Sequence, residues 1–161
     1  MSILSGPDES IESKAASNGK LDGGPPDETP ELILDIAGAL VRVEGDRDLL
    51  ANLLGIFLEE SQRAMTEVRR GFDLRNASLT GRFAHTIHGS AANVGANAVA
   101  KTAGALEKKM HGGDWESSDG LVAALDRDIT RFIAAATLFL AGEHASRRSR
   151  NGSQNQPRAF D

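Results

Sequence analysis

Residues 84–96 read AHTIHGSAANVGA, and this stretch is the most informative in the chain because it sets a histidine among unusually small residues at helical spacing. On a helix of about 100° per residue, His85 points nearly opposite to four apolar residues that lie within about one quadrant, namely Leu79, Phe83, Ile87 and Val94. His85 is therefore predicted to lie on the exposed side of an amphipathic helix whose other side enters a hydrophobic core.

Small residues surround His85 on that exposed side. Gly81 lies one turn before it, Gly89 one turn after and Ala92 two turns after, since residues three, four and seven apart share a helix face. Each glycine inside a helix costs about 1 kcal/mol relative to alanine, so their grouping needs a reason other than helix formation. We expect the clearance to allow another protein to approach the imidazole closely.

Apolar residues continue at helical spacing over residues 32–141, without strand-like alternation. N-cap candidates and helix-stopping glycines divide this region into one short helix and four longer amphipathic ones. The predicted helices end near Gly45, Gly71, Gly95, Gly112 and Ala141. The fold class is therefore predicted to be all-α: an up-down-up-down four-helix bundle with a short additional N-terminal helix.

Composition divides the chain into three parts. Residues 1–30 are rich in Ser, Gly, Pro, Asp and Glu and hold few large apolar residues, so a disordered leader or linker is predicted. Residues 31–142 are predicted to form the helical bundle. Residues 143–161 contain four arginines and two acids without apolar residues in series, which predicts a disordered, mildly basic tail.

Charge and residue content exclude several classes of function. The formal net charge is −5 and no basic face is concentrated in the bundle region, so nucleic-acid binding is not expected. The chain has no cysteine, which excludes disulfides, thiolate catalysis and cysteine-based metal sites. No glycine-rich phosphate loop follows a strand. We see no secretory signal and no apolar run near the roughly 20 residues that cross a bilayer, and we expect a cytoplasmic protein without membrane contact.

The stretch at residues 84–96, followed by Leu106 and Glu107, resembles the signature of bacterial histidine-containing phosphotransfer (HPt) domains. That signature is Ala-His, two residues, Lys-Gly, several small residues, Gly-Ala and a downstream Leu-Glu. Residues 34–57 also look like the opening of the family, and residues 113–115 look like its loop before the last helix. The resemblance thus extends over about residues 32–141.

The resemblance implies a phosphocarrier without a nucleotide site, acting as a phosphorelay intermediate in two-component signalling. His85 would accept a phosphoryl group from an aspartyl phosphate on a response-regulator receiver domain and pass it to another receiver. Mg²⁺ would be held by the receiver, and this chain would bind neither a cofactor nor a metal. A hybrid sensor histidine kinase is a further candidate partner, and the resemblance favours a monomer.

Site residues follow from the same resemblance. His85 occupies the phosphorylated position, and a neutral imidazole is a good nucleophile near pH 7. Gly89 matches the family glycine that leaves room for the receiver. Gly81 and Ala92, which share the face of His85 on the helical wheel, extend that argument and are predicted to contact the receiver as well.

The sequence departs from the family pattern at His88, where the family usually has lysine. Because histidine is only partly charged near neutral pH, electrostatic assistance to the phosphoryl group would be weaker or pH-sensitive. Arg82, about 60° round the helix from His85 and one turn before it, could supply part of that charge, since guanidinium suits phosphate oxygens. Both residues are equally well explained as solvated surface side chains.

Two alternatives remain. A regulatory bundle that binds receivers without carrying phosphate would explain the departure at His88. A metal-binding helical bundle would use His85 and His88 together with Glu107 or His111 from the next helix, because bundles do hold metals with facing His and Glu ligands. Those metal sites project into the bundle, whereas His85 is predicted to project outward, so phosphotransfer is the preferred interpretation.

Overall fold

The computed structural model describes residues 33–152, which form five α-helices. They are α1 (Ile36–Arg42), α2 (Arg47–Asp73), α3 (Ala77–Asn93), α4 (Asn97–His111) and α5 (Asp119–Gly152). The predicted all-α fold, a four-helix bundle with a short additional N-terminal helix, is confirmed. The predicted leader at residues 1–30 and the end of the predicted tail, residues 153–161, lie outside the described residues.

Polar side chains cap three helix starts. Asp35, Asp46 and Asn76 immediately precede α1, α2 and α3, and their side-chain oxygens accept hydrogen bonds of 2.8–3.0 Å from backbone N–H groups in the first turn. Each such cap stabilises a helix start by about 1 kcal/mol. The caps therefore place the helix boundaries that bring the histidine segment into one continuous helix.

The turn after α3 depends on Gly95. Its φ of 76° lies in the left-handed region, which glycine adopts without steric cost. A Cβ at this position would also lie 2.3 Å from the carbonyl oxygen of Asp35, and the backbone N–H of Asp35 donates a 3.0 Å hydrogen bond to the Gly95 oxygen. This close approach fixes the start of α1 against the turn between α3 and α4.

A single hydrophobic core fills the bundle. In sequence order α3 packs against α2 and α4, and α5 closes the bundle against α2 and α4. The largest fully buried apolar side chains come from all four long helices: Leu50, Leu54, Val68, Ile87, Val99, Leu106, Leu125 and Phe132. The rings of Phe57 and Phe132 meet edge to face with centroids 5.2 Å apart, a favourable geometry that joins α2 to α5.

The buried face of α3 is turned from the one predicted. Ile87 and Val94 are buried as expected, but Leu79 and Phe83 are only half-buried. The small residues Ala84 and Ala91 are fully buried instead. Because α2 and α4 cover α3 from two sides, the covered sector is wide, and the residues that face the neighbouring backbones most closely are small.

The last helix is longer than predicted. The apolar pattern ends near Ala141, but α5 continues to Gly152. Arg47 of α2 donates a 2.6 Å hydrogen bond to Glu143, and Arg147 donates one to Asp48. These ion pairs tie the extension to α2 without apolar burial, which is why the hydrophobic pattern did not reveal it. Neither α5 nor any other helix within residues 33–152 is apolar enough at sufficient length to cross a membrane.

Candidate functional site

His85 lies near the middle of α3, on the side that faces solvent. Its side chain is 72% exposed, although the preceding residue, Ala84, and the nearby Ile87 are completely buried. The backbone of α3 is therefore anchored in the core directly beneath an accessible imidazole. The orientation matches the one predicted from helical spacing.

Glu107 of α4 connects the two histidines of α3. Its Oε1 lies 2.9 Å from Nδ1 of His85, and its Oε2 lies 3.4 Å from Nδ1 of His88. The carboxylate side chain is itself only 20% exposed. One partly covered carboxylate thus serves both imidazoles, each through a different oxygen.

The protonation of this group follows from its surroundings. Partial burial raises the pKa of Glu107, but the hydrogen bonds with His85 and His88 lower it by more. The pKa of Glu107 therefore lies below its ordinary value of 4.5. Glu107 is therefore ionised at neutral pH, and an ionised carboxylate can only accept hydrogen bonds. In the neutral ring of His85, the proton must lie on Nδ1, and Nε2 carries the free lone pair.

His88 is partly enclosed between α3 and α4. Its side chain is 46% exposed, and a Cβ at Gly104 of α4 would lie 3.3 Å from the imidazole ring. The ring therefore fits over a residue without a side chain. The sequence suggested a phosphate contact, a solvated surface residue or, in the metal-binding alternative, a ligand beside Glu107. It did not predict a direct contact between the imidazole and the Glu107 carboxylate.

An open groove of about 680 Å³ runs beside His85 between α3 and α4. It is lined by Ala77, Ser78, Gly81, Arg82, His85, Glu107, Met110 and His111. The groove reaches from the imidazole toward the start of α3. It offers a concave surface with apolar and polar residues next to the exposed imidazole of His85.

Gly81 was predicted to lie on the outer face, but the structure buries it. A Cβ at this position would lie 3.3 Å from the Cβ of Met110 on α4. The glycine therefore allows α3 and α4 to approach each other, and it forms part of the groove floor. On the helical wheel Gly81 is between the core sector and His85, so the neighbouring helix covers it.

Gly89 and Ala92 differ in their exposure. Gly89 is exposed, and a Cβ built there would have no atom of the described residues within 4 Å apart from its immediate neighbours in α3. Ala92 is half-buried. No contact within the described part of the chain requires glycine at position 89, which agrees with the interpretation that its small size serves an approaching molecule.

Arg82 is exposed and lies at the edge of the groove. Its guanidinium carbon stands 4.8 Å from the centroid of the Phe83 ring, a cation–π distance that holds the side chain along the helix surface. The structure thus brings a positive charge to the groove that contains His85. It leaves the phosphate-contact role of Arg82 as a prediction.

The described part of the chain contains no set of side chains that would support the metal-binding alternative. Across those residues, no three side chains of His, Cys, Asp or Glu are grouped so as to hold a metal ion. His111, one of the ligands considered, donates from Nδ1 to the main-chain oxygen of Glu107 at 3.0 Å. Its ring is thus engaged with its own helix.

Sequence reasoning missed the role of Glu107 as the partner of His85. The residue was identified only as part of the Leu-Glu element of the family pattern and as a possible metal ligand. The signal was present, because this element lies about 20 residues beyond the histidine and on the following helix. The pairing itself depends on how two helices align, which the spacing along one chain does not show.

Comparison with known proteins agrees with this architecture. The Hpt domain family matches residues 52–135, more than half of the chain. Histidine-containing phosphotransfer protein B (HptB) from Pseudomonas aeruginosa PAO1 is similar in structure, with a TM-score of 0.63 and 19% identity over 68% of this chain and 95% of that one. No curated protein matches the sequence significantly.

A second solved structure is the HPT domain of an Hpt sensor hybrid histidine kinase from Shewanella. It gives a TM-score of 0.64 with 13% identity and covers 69% of this chain and 96% of that one. At such identities the two structures establish the fold. The family match spans α3 and α4, including His85, His88 and Glu107. This chain belongs to the Hpt domain family.

Proposed function

We propose that this protein is a phosphorelay intermediate that accepts a phosphoryl group on Nε2 of His85 from an aspartyl phosphate of a receiver domain and passes it to another receiver. The observation that carries the proposal is the exposed His85 imidazole with its Nδ1 held 2.9 Å from Glu107. This arrangement leaves Nε2 as the free nucleophile. Membership of the Hpt family supports a phosphocarrier without a cofactor of its own.

The transfer is a balanced exchange of one bond for another. The lone pair of Nε2 attacks phosphorus, the bond between phosphorus and the aspartyl oxygen breaks, and the carboxylate leaves with the electron pair. The ring gains positive charge as the new bond forms. Glu107, which accepts a hydrogen bond from Nδ1, stabilises that charge and holds the ring in position, as carboxylates do behind catalytic imidazoles.

The receiver supplies what this chain lacks. Mg²⁺, which the resemblance to the family assigns to the receiver, would neutralise charge on the phosphoryl oxygens, and His85 of this chain would chiefly present an oriented nucleophile. We assign docking of the partner to the groove between α3 and α4, because it lies next to His85; the partner is a receiver domain of a response regulator or of a hybrid sensor histidine kinase. We place this exchange in the cytoplasm and assign it to a monomer.

Phosphotransfer is tested by incubating the purified protein with a radiolabelled phosphorylated receiver and Mg²⁺. Label should move to this protein as an acid-labile phosphoramidate, and His85→Gln should abolish the transfer. His144→Gln is the matched control, because His144 is an exposed histidine on α5 that lies outside the groove. Label on the His85→Gln protein would refute the site assignment.

The same experiment separates the regulatory alternative. A receiver that binds the wild-type chain, as measured by calorimetry, but transfers no label would identify a bundle that regulates receivers without carrying phosphate. We expect binding and transfer to occur together, since Nε2 of His85 is both accessible and oriented.

A further inference from the structure

We infer that His88 is a positioning residue for the proposed transfer, because it holds the Glu107 carboxylate in the orientation in which this carboxylate engages His85. The kinetic consequence rests on the proposed function. The effect on the His85 ring does not, since it is a property of the unphosphorylated protein alone.

The geometry at Glu107 supports this role. A carboxylate bonded through one oxygen can still turn about its terminal torsion, which has a broad energy profile. Here Oε1 meets Nδ1 of His85 at 2.9 Å, while Oε2 meets Nδ1 of His88 at 3.4 Å. The second contact restrains the turn, so that Oε1 stays directed at His85.

The surroundings of His88 suit it to this contact. A Cβ at Gly104 would lie 3.3 Å from the ring, so the imidazole occupies space that any other residue at position 104 would restrict. His111, the other histidine near Glu107, bonds to the main-chain oxygen and leaves both carboxylate oxygens to His85 and His88. His88 therefore has the carboxylate contact that His111 lacks.

The positioning role explains how histidine can stand at position 88, where the family usually has lysine. A lysine at position 88 would bring a permanent charge toward the phosphoryl group. The imidazole instead directs its Nδ1 toward the Glu107 carboxylate. His88 thus acts on the nucleophile through Glu107, and a direct contact with the phosphoryl group is the competing outcome of the test.

The first measurement is the tautomer of His85, read from long-range ¹H–¹⁵N NMR spectra recorded at pH 8. In the wild type the Nδ1–H form should dominate. His88→Ala should reduce its share clearly, and His88→Asn should restore it, because an asparagine amide can donate from nearly the same position as Nδ1. His111→Ala is the control for this spectrum and should leave the His85 tautomer unchanged.

The second measurement is transfer from a phosphorylated receiver. His88→Ala should lower the maximal rate about five- to tenfold, the range expected for losing a weak hydrogen bond to a charged group. The receiver concentration at half-maximal rate should not change, and His88→Asn should recover most of the rate. Gly104→Ala, which displaces the ring without removing it, should shift both measurements in the direction of His88→Ala.

The outcomes are distinct. An unchanged His85 tautomer in a folded His88→Ala protein overturns the inference, whatever the rate does. A slower rate with an unchanged tautomer assigns His88 to direct phosphoryl contact instead. If the wild type accepts no phosphate, the proposed function fails, while the NMR comparison still decides whether His88 positions Glu107. Should His88→Ala fail to fold, Gly104→Ala and His88→Asn provide the same comparison.

Discussion

Replacing Gly89 should separate the stability of the bundle from its ability to meet a receiver. Gly89 lies within α3, one turn after His85, and a Cβ there would meet no atom of residues 33–152 beyond its own turn of the helix. Glycine inside a helix costs up to about 1 kcal/mol relative to alanine or leucine. Because nothing must move to accept a side chain, Gly89→Ala and Gly89→Leu should each raise the free energy of unfolding by about 0.5–1 kcal/mol.

Phosphotransfer should change in the opposite direction. Side chains four residues apart on a helix have Cβ atoms about 5–6 Å from each other, so a leucine at position 89 stands beside the imidazole of His85. Nε2 must come within about 3 Å of the phosphoryl group, and a misplacement of about 1 Å can cost a factor of roughly 100 in rate. We therefore expect Gly89→Leu to slow transfer by about 100-fold, and Gly89→Ala by less.

The assay combines urea unfolding, followed by circular dichroism, with transfer from a phosphorylated receiver at concentrations below saturation. Gly55→Ala is the matched control, since Gly55 lies inside α2 with equally open space around a Cβ. It should gain similar stability and transfer at the wild-type rate. Wild-type transfer by Gly89→Leu would refute the clearance argument. A loss of stability in Gly89→Ala would show that the fold itself needs this glycine.

Two further predictions concern the fold. Gly71→Ala should destabilise the protein by about 1 kcal/mol or more in urea unfolding, despite the gain in helix propensity, because its Cβ would lie 2.9 Å from the backbone nitrogen of Thr80. Hydrogen bonds from Lys109 and then Ser117 lower the pKa of Asp114 from 3.8 to about 2. Since the folded pKa is the lower one, the resulting stabilisation is complete above about pH 4 and is lost as pH falls through 2. NMR titration of the Asp114 carboxyl carbon should show that midpoint, and Lys109→Met should raise it; an unshifted midpoint would contradict the pairing.

The sequence predicts the helices and the direction of His85 well because both depend on local rules. Helical spacing requires only that apolar residues share a face, and Asp35, Asp46 and Asn76 cap their own helices through bonds to the next few residues. The length of α5 is a different case. Its last turns are tied by the pairs of Glu143 and Arg147 with α2, which are nearly 100 residues distant along the chain.

The candidate site is only half determined by such local rules. The spacing of α3 identifies an exposed histidine, but the carboxylate that orients it comes from α4. Whether Glu107 meets His85, His88 or both depends on the separation and relative rotation of two packed helices. The separation and rotation of the helices follow from side-chain packing over the whole interface. The sequence therefore marked Glu107 only as part of the family pattern and as a possible metal ligand, and did not predict its hydrogen bond with His85.

Small residues on α3 and α4 serve two requirements that look identical in the sequence. At Gly81 and Gly104, an added Cβ would lie 3.3 Å from Met110 and from His88, respectively, so these glycines let the two helices approach closely. That approach is what allows Glu107 to reach His85. At Gly89 an added Cβ would contact nothing among residues 33–152 beyond its own turn of α3, so we assign its small size to the approach of a partner. Gly81 and Gly104 therefore help to orient His85, whereas Gly89 leaves it accessible. A larger residue at position 81 or 104 should disturb the orientation of His85 itself. A larger residue at position 89 should leave that orientation unchanged but block the partner's approach to the imidazole.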